Sequence, residues 1–243
     1  MTLVHAAVAK SLKLVTEKQL DFSLMEKINA FIEHTCLKST TTKEDVERLC
    51  NEALEHGFFG VCVPPYFVKQ AARKFKAAKA VQKVISVAGF PLGHAPVSAK
   101  VEEVKKSIAD GAHELDVMVN LSAYLSGDLS VVKNDIQSVV TVCHLQNRPV
   151  KIILETGILS EEQILELADI CAGAGADFVK TSTGYIPQGA SAEAVRLLRA
   201  HLPDKIKIKA SGGIQHPDTV RELIGAGAER IGTSSGIHII QRL

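Results

Sequence analysis

Short runs rich in Val and Ile alternate about eight times with helical patterns of ~10–15 residues, and this alternation constrains the fold more than any other feature of the chain. The spacing predicts strands at Phe31–Leu37, Phe58–Val63, Lys83–Phe90, Glu114–Asn120, Val150–Thr156, Asp177–Thr183, Lys205–Ala210 and Arg230–Thr233. Helix starts are marked between them. Ser23 to Glu26 and Ser160 to Gln163 have capping-box spacing, and Pro217 suits a first helical turn. Strand–helix alternation of this kind builds parallel sheet from βαβ units. Eight units in 243 residues favour a closed (β/α)8 barrel over an open doubly wound sheet. The expected organisation is a single barrel domain over residues 1–243, with residues 1–27 as an N-terminal helical extension.

An internal repeat sharpens this. Gly111-Ala-His-Glu-Leu-Asp116, Gly175-Ala-Asp-Phe-Val-Lys180 and Gly227-Ala-Glu-Arg-Ile-Gly232 share one layout, a helix-ending glycine followed by a strand. Gly57 to Cys62 matches at the glycine and in the strand pattern. Equivalent loops would put Cys62, Asp116, Lys180 and Gly232 at one height on one strand face. Two residues earlier, Gly60, Glu114, Phe178 and Arg230 would form a lower layer. Glu114 and Arg230 are then expected to pair inside the barrel.

The bulk numbers exclude several classes. Net charge is +1, which gives no electrostatic case for nucleic acid or a membrane surface. No apolar run reaches the ~18 residues of a membrane span. The five cysteines show no C-x-x-C spacing, so reduced thiols in a cytoplasmic protein are expected. The basic, amphipathic stretch Val4–Lys18 lacks arginine and reads as a docking helix rather than a transit peptide. The nine histidines have no H-x-x-x-H spacing, and neither a metal nor a cofactor is expected. His34 and His94 fall on strand-end loops, where a structural hydrogen-bonding role is expected. Cys62 reads as a small buried apolar residue.

Barrel active sites lie at the C-terminal strand ends. There the chain offers Lys180, Lys209, Asp116 and Glu33. A free lysine has a pKa of ~10.4 and is a poor nucleophile at neutral pH. A second ammonium ~6 Å away, at an effective dielectric of ~20, contributes roughly 2.8 kcal/mol, lowering that pKa by about two. Adjacent lysines therefore give one neutral amine and one cation. The neutral amine suits Schiff-base chemistry, and the cation can assist proton transfer. Asp116 could move protons through a water. The residues alone do not say which lysine forms the imine.

A second constellation suits an anion. Ala210-Ser-Gly-Gly213 follows the seventh strand and Gly232-Thr-Ser-Ser235 the eighth, the two loops that often bind phosphate in barrels. Gly184 adds to them. A P-loop and a dinucleotide fingerprint are both absent from the sequence.

Seven motifs together resemble deoxyribose-phosphate aldolases: Phe178 to Gly184, Lys209 to Ile214, Arg230 to Ser235, Gly111 to Val117, Phe90 to Gly93, Ile32 to Thr35 and Val61 to Val63. The resemblance runs in family order from about Ile28 to Ser235. It implies a class I aldolase on a (β/α)8 barrel that reversibly cleaves 2-deoxy-D-ribose 5-phosphate to D-glyceraldehyde 3-phosphate and acetaldehyde. It implies that Lys180 forms the Schiff base, that Lys209 is the second lysine and that Asp116 belongs to the proton relay. Gly184, Gly212, Gly213, Ser234 and Ser235 match phosphate-binding positions. It also implies a homo-oligomer acting on a small sugar phosphate. Glu33 stands where the family commonly has Asp, as a candidate contact for a substrate hydroxyl. Pro64-Pro65 replaces the commoner Asn-Pro. Some members carry a C-terminal tyrosine that reaches the site, whereas the last tyrosine here is Tyr185. A Schiff-base aldolase with another donor and a non-catalytic phosphosugar-binding barrel are the alternatives.

Overall fold

The computed structural model describes residues 28–243. The helix expected from Ser23 and the extension over residues 1–27 lie outside the described residues, apart from a short 3-10 turn at Asn29–Phe31. Eight parallel strands pair in chain order and close, the first against the last. They are β1 (Ile32–Thr35), β2 (Gly60–Val63), β3 (Lys83–Ala88), β4 (Glu114–Met118), β5 (Val150–Ile153), β6 (Phe178–Lys180), β7 (Lys207–Ser211) and β8 (Arg230–Thr233). Around them run α1 (Lys43–Glu55), α2 (Val68–Ala77), α3 (Val97–Asp110), α4 (Leu121–Leu125), α5 (Leu129–Leu145), α6 (Glu161–Ala174), α7 (Ala192–His201), α8 (Pro217–Gly225) and α9 (Gly236–Ile240). The closed (β/α)8 barrel is therefore the observed fold. The short α4 and α9 have no counterpart in the sequence reading.

Local chemistry explains the boundaries. Thr42 and Ser160 each form a reciprocal capping box, with Asp45 and Gln163 respectively, which satisfies donors at the starts of α1 and α6. The repeated glycines Gly57, Gly111, Gly175 and Gly227 all have φ between the left-handed values of +64° and +111°, which explains the repeat: each helix is stopped by a residue free of a Cβ penalty. β6 is shorter than expected. Beyond Lys180, Thr181 and Ser182 stay tied to Ser211 at the end of β7 through hydroxyl bonds, and Thr183 turns to Glu155.

The two strand faces differ in character. Outward residues such as Val61, Leu115, Ile152, Val179 and Ile208 are buried in one apolar cluster with the helices. Inside the barrel the apolar cluster is small, with Cys62, Ile85 and Val87 at its centre. The rest of the interior carries charge. Inward-facing Glu33, Asp116, Lys151, Lys180, Lys209 and, lower down, Glu114 and Arg230 are all buried. A separate buried pair braces the wall behind β4. Lys100 donates to Asp135 at 2.5 Å and to the Met118 carbonyl at 2.8 Å, tying α3 and α5 to the end of that strand.

Candidate active site

Strand register brings the expected residues together. Lys180 on β6 is the direct partner of Lys209 on β7, so the two side chains leave the sheet next to each other. Asp116 on β4 points at both. Its Oδ2 accepts from Lys180 Nζ at 2.8 Å and from Lys209 Nζ at 2.7 Å. The two ammonium nitrogens are thus no farther apart than those two bonds laid end to end, and a carboxylate oxygen stands between them. The sequence reading placed one cation beside another. The structure adds an anion shared by both.

Below this trio the cluster continues. Lys151 on β5 lies 3.1 Å from Asp116 Oδ1, 3.4 Å from Glu33 Oε1 and 2.5 Å from Glu114 Oε2. Arg230 contacts Glu33 at 3.2 Å and Glu114 at 3.6 Å, so the pairing expected between strands four and eight is present. Its guanidinium also lies 3.3 Å from the centroid of the Phe59 ring. Glu33 bonds Lys209 and turns inward, under the lysines. Like Asp116 it is fully buried, so it stands behind Lys209 rather than on the open wall of the cleft.

Burial and charge compete at each of these groups. Burial would raise the Asp116 pKa, but Lys151, Lys180 and Lys209 together hold its carboxyl well below the usual range. Glu33 follows the same balance, with burial offset by Lys151 and Lys209, and is lowered. Burial would lower Lys209, but Asp116 and Glu33 outweigh it and raise it. Lys151 is raised likewise by Asp116, Glu33 and Glu114. Asp116 and Glu33 on one side and Lys151 and Lys209 on the other thus keep one another ionised.

Glu33, Cys62 and Asp116 each present a donor atom, all within 4.8 Å. They fit a metal poorly, because both carboxylates are already held by ammonium groups. Burial pushes the Cys62 thiol up to about 11, so it is neither a thiolate ligand nor a ready nucleophile.

Above the cluster opens a cleft of about 780 Å³. Lys180 and Lys209 line its floor, and Gly184, Gly212, Gly213, Ser234 and Ser235 line the side formed by the loops after β6, β7 and β8. Gly212 has φ +96°, and a Cβ on it would meet the Cα of Gly189 at 3.1 Å, so these loop backbones approach as only glycine permits. Thr181, Ser182 and Thr183 serve the scaffold. Thr181 and Ser211 exchange hydrogen bonds, Ser211 donates to the Ser182 carbonyl at 2.6 Å, and Thr183 bonds Glu155. His34 pairs with Glu52 at 2.7 Å behind β1, and His94 is exposed and away from the cleft lining.

Lys151 and Glu155 were not foreseen as part of the site. A lysine inside Val150-Lys-Ile-Ile153 carried the same signal as Lys180, a charge at an inward position of an apolar strand, but its register partner on β6 is Phe178, two residues before Lys180. Lys151 is the cation that three buried carboxylates share. Its replacement by Met should cost about 3–5 kcal/mol of stability, because it leaves buried charge uncompensated. Urea unfolding of Lys151→Met would measure this, and an unchanged midpoint would show that the cluster does not depend on it.

Comparison with known proteins supports the same reading. The model of the DeoC/LacD family of aldolases matches residues 27–242. A deoxyribose-phosphate aldolase of Thermococcus gammatolerans is 47% identical over 214 residues, covering 88% of this chain and 95% of the relative. One from Caldicellulosiruptor saccharolyticus is 45% identical over 216 residues, covering 88% of this chain and 97% of the relative. Among solved structures, the tetrameric deoxyribose phosphate aldolase of Aeropyrum pernix superposes with a TM-score of 0.82 at 33% identity, covering 89% of this chain and 91% of that one. With the barrel, the buried lysines and these matches in hand, the chain belongs to the DeoC/LacD family of aldolases.

Proposed function

We propose that this protein is a deoxyribose-phosphate aldolase that reversibly cleaves 2-deoxy-D-ribose 5-phosphate to D-glyceraldehyde 3-phosphate and acetaldehyde through a Schiff base on Lys180. The observation that carries the reading is the shared Asp116 oxygen, bonded by two lysines on the floor of a cleft whose side is made of glycine- and serine-rich loops. Relatives of close to equal length that carry the deoxyribose-phosphate aldolase name support it.

The contacts favour Lys180 as the nucleophile. Lys151 and Lys209 each lie within 4 Å of at least two carboxylates, whereas Lys180 has only Asp116 at that distance. Of the three amines it is the one whose use as a nucleophile forfeits the least ion pairing.

The neutral Lys180 amine attacks C1 of the open-chain sugar, and loss of water gives a protonated imine. The imine draws electrons from the C2–C3 bond as it breaks. Asp116 takes the C3 hydroxyl proton through a water, with Lys209 fixed beside it as a cation. Protonation and hydrolysis of the resulting enamine release acetaldehyde and return the amine. The phosphate sits against Gly184, Gly212, Gly213, Ser234 and Ser235, where backbone N–H groups and serine hydroxyls suit an anion. Asp116 and Lys180 carry the chemistry on rigid strands, and the loops carry the anchor.

A homo-oligomer is the expected assembly, on the precedent of the tetrameric Aeropyrum pernix relative. Light scattering that returned the mass of a single chain would count against it. With free cysteines and no helix among the described residues long and apolar enough to cross a membrane, a cytoplasmic setting is the reading we favour.

Borohydride should trap acetaldehyde on Lys180, and peptide mapping would locate it. Lys180→Ala should lower kcat on the order of 10³-fold or more. Unchanged cleavage would overturn the mechanism, and trapping of a different carbonyl donor in place of acetaldehyde would indicate another aldolase. The pH dependence follows from the Asp116 environment. Its folded pKa is depressed, so the carboxylate is already ionised above about pH 4 and loses its charge only as pH falls further. Asp116→Asn should therefore lower kcat roughly 10²–10⁴-fold at about pH 7, where the wild-type carboxylate is ionised. An unchanged kcat at that pH would remove Asp116 from the proton relay.

A further inference from the structure

Tyr185 directly follows the glycine that ends the Thr181–Gly184 run, yet its side chain reaches across the barrel mouth. The phenol donates to the Leu37 carbonyl at 2.7 Å, in the loop after β1. The ring meets Phe90, in the loop after β3, edge-on with centroids 5.5 Å apart and planes at 81°. β6 lies across the closed barrel from β1–β3, so one side chain ties together loops from opposite sides. Beneath it, Lys180 Nζ lies 5.8 Å from the centroid of the Phe90 ring. Leu37, Lys180 and Tyr185 line the same cleft.

The tie has a rigid base. Tyr185 N donates to Thr183 Oγ1 at 3.1 Å, and Thr183 N donates to the two carboxylate oxygens of Glu155, at 3.2 Å to each. The Thr183 hydroxyl bonds the same carboxylate. Glu155 is buried and holds φ +62°, a left-handed conformation uncommon for residues other than glycine. Tyr185 itself is 51% exposed. Its placement therefore owes little to core burial and much to these directed contacts.

We propose that Tyr185 determines which carbonyl donors fit beside Lys180, with Glu155 as its positioning residue. Phe90 and Leu37 form the rest of the roof. An imine on Lys180 forms 5.8 Å from the centre of the Phe90 ring, and Tyr185 meets that ring edge-on. A two-carbon donor fits below, and each further carbon on the donor pushes Phe90 against Tyr185. This rests on the Schiff-base reading above.

The test compares acetaldehyde with propanal as donors to D-glyceraldehyde 3-phosphate, together with borohydride trapping of each. The wild type should prefer acetaldehyde by about 10–200-fold, the range for one extra methylene in a closed pocket. Tyr185→Ala should narrow that preference about tenfold or more. Tyr185→Phe keeps the ring and should keep the preference, while loss of the bond to Leu37 raises KM by roughly 2–12-fold. Glu155→Ala should narrow the preference with the tyrosine ring still present, and Glu155→Gln should restore it. If Tyr185→Ala and Glu155→Ala leave the preference at the wild-type value while acetaldehyde still traps on Lys180, the roof is not selective and the inference is wrong, although the aldolase reading stands. If the wild type traps neither aldehyde, both readings fall.

Discussion

The interior of this barrel is organised around one oxygen atom. Asp116 Oδ2 receives hydrogen bonds from Lys180 and Lys209, while Oδ1 of the same carboxylate faces Lys151. Removing each of these ions from water costs several kcal/mol, and the cost is offset only because cation and anion alternate through the cluster. Such a network adds little net stability compared with an apolar core. Its effect is positional: it holds two amines side by side at the floor of the cleft, in rotamers that the neighbouring charges fix.

Parallel closure makes the arrangement possible. Neighbouring strands keep their residues in register, so Lys180 and Lys209 emerge together from β6 and β7, and β5 supplies Lys151 beneath Asp116. Helices cover the outer strand faces with apolar side chains, which leaves the inner face free to carry polar groups. Charged groups that need fixed positions sit on strands. The loops after β6, β7 and β8 supply the glycine backbones and serines that line the side of the cleft. The hydroxyls of Thr181, Thr183 and Ser211 fasten those loops to one another and to Glu155.

Much of this was legible in the chain. The eightfold alternation specified the barrel, because period-two and helical patterns at that spacing leave few topologies. The glycine repeat located four strand starts, since each glycine ends a helix in a left-handed conformation. From the common offset, Glu114 and Arg230 were expected to face each other, and they do. Lys151 escaped attention because alternation alone does not separate an inward lysine from one at an exposed edge. Glu33 was expected at the cleft, but its side chain turns under Lys209 toward Arg230 and Lys151, a direction that no local pattern encodes. Glu155 and Tyr185 act through contacts with residues 28 and 148 positions away, beyond the reach of any sequence window.

By itself the sequence determined the fold class, the strand ends that carry lysine and carboxylate, and the loops suited to an anion, because these follow from periodicity, turn chemistry and residue type. Tertiary structure alone decided how the charges are shared. A lysine's state inside a protein depends on which carboxylates reach it and on how much water is excluded, and both are set by strand register and barrel closure. Lys180 and Lys209, adjacent cations on paper, became the two donors to a single carboxylate only when β4, β6 and β7 closed around the same interior.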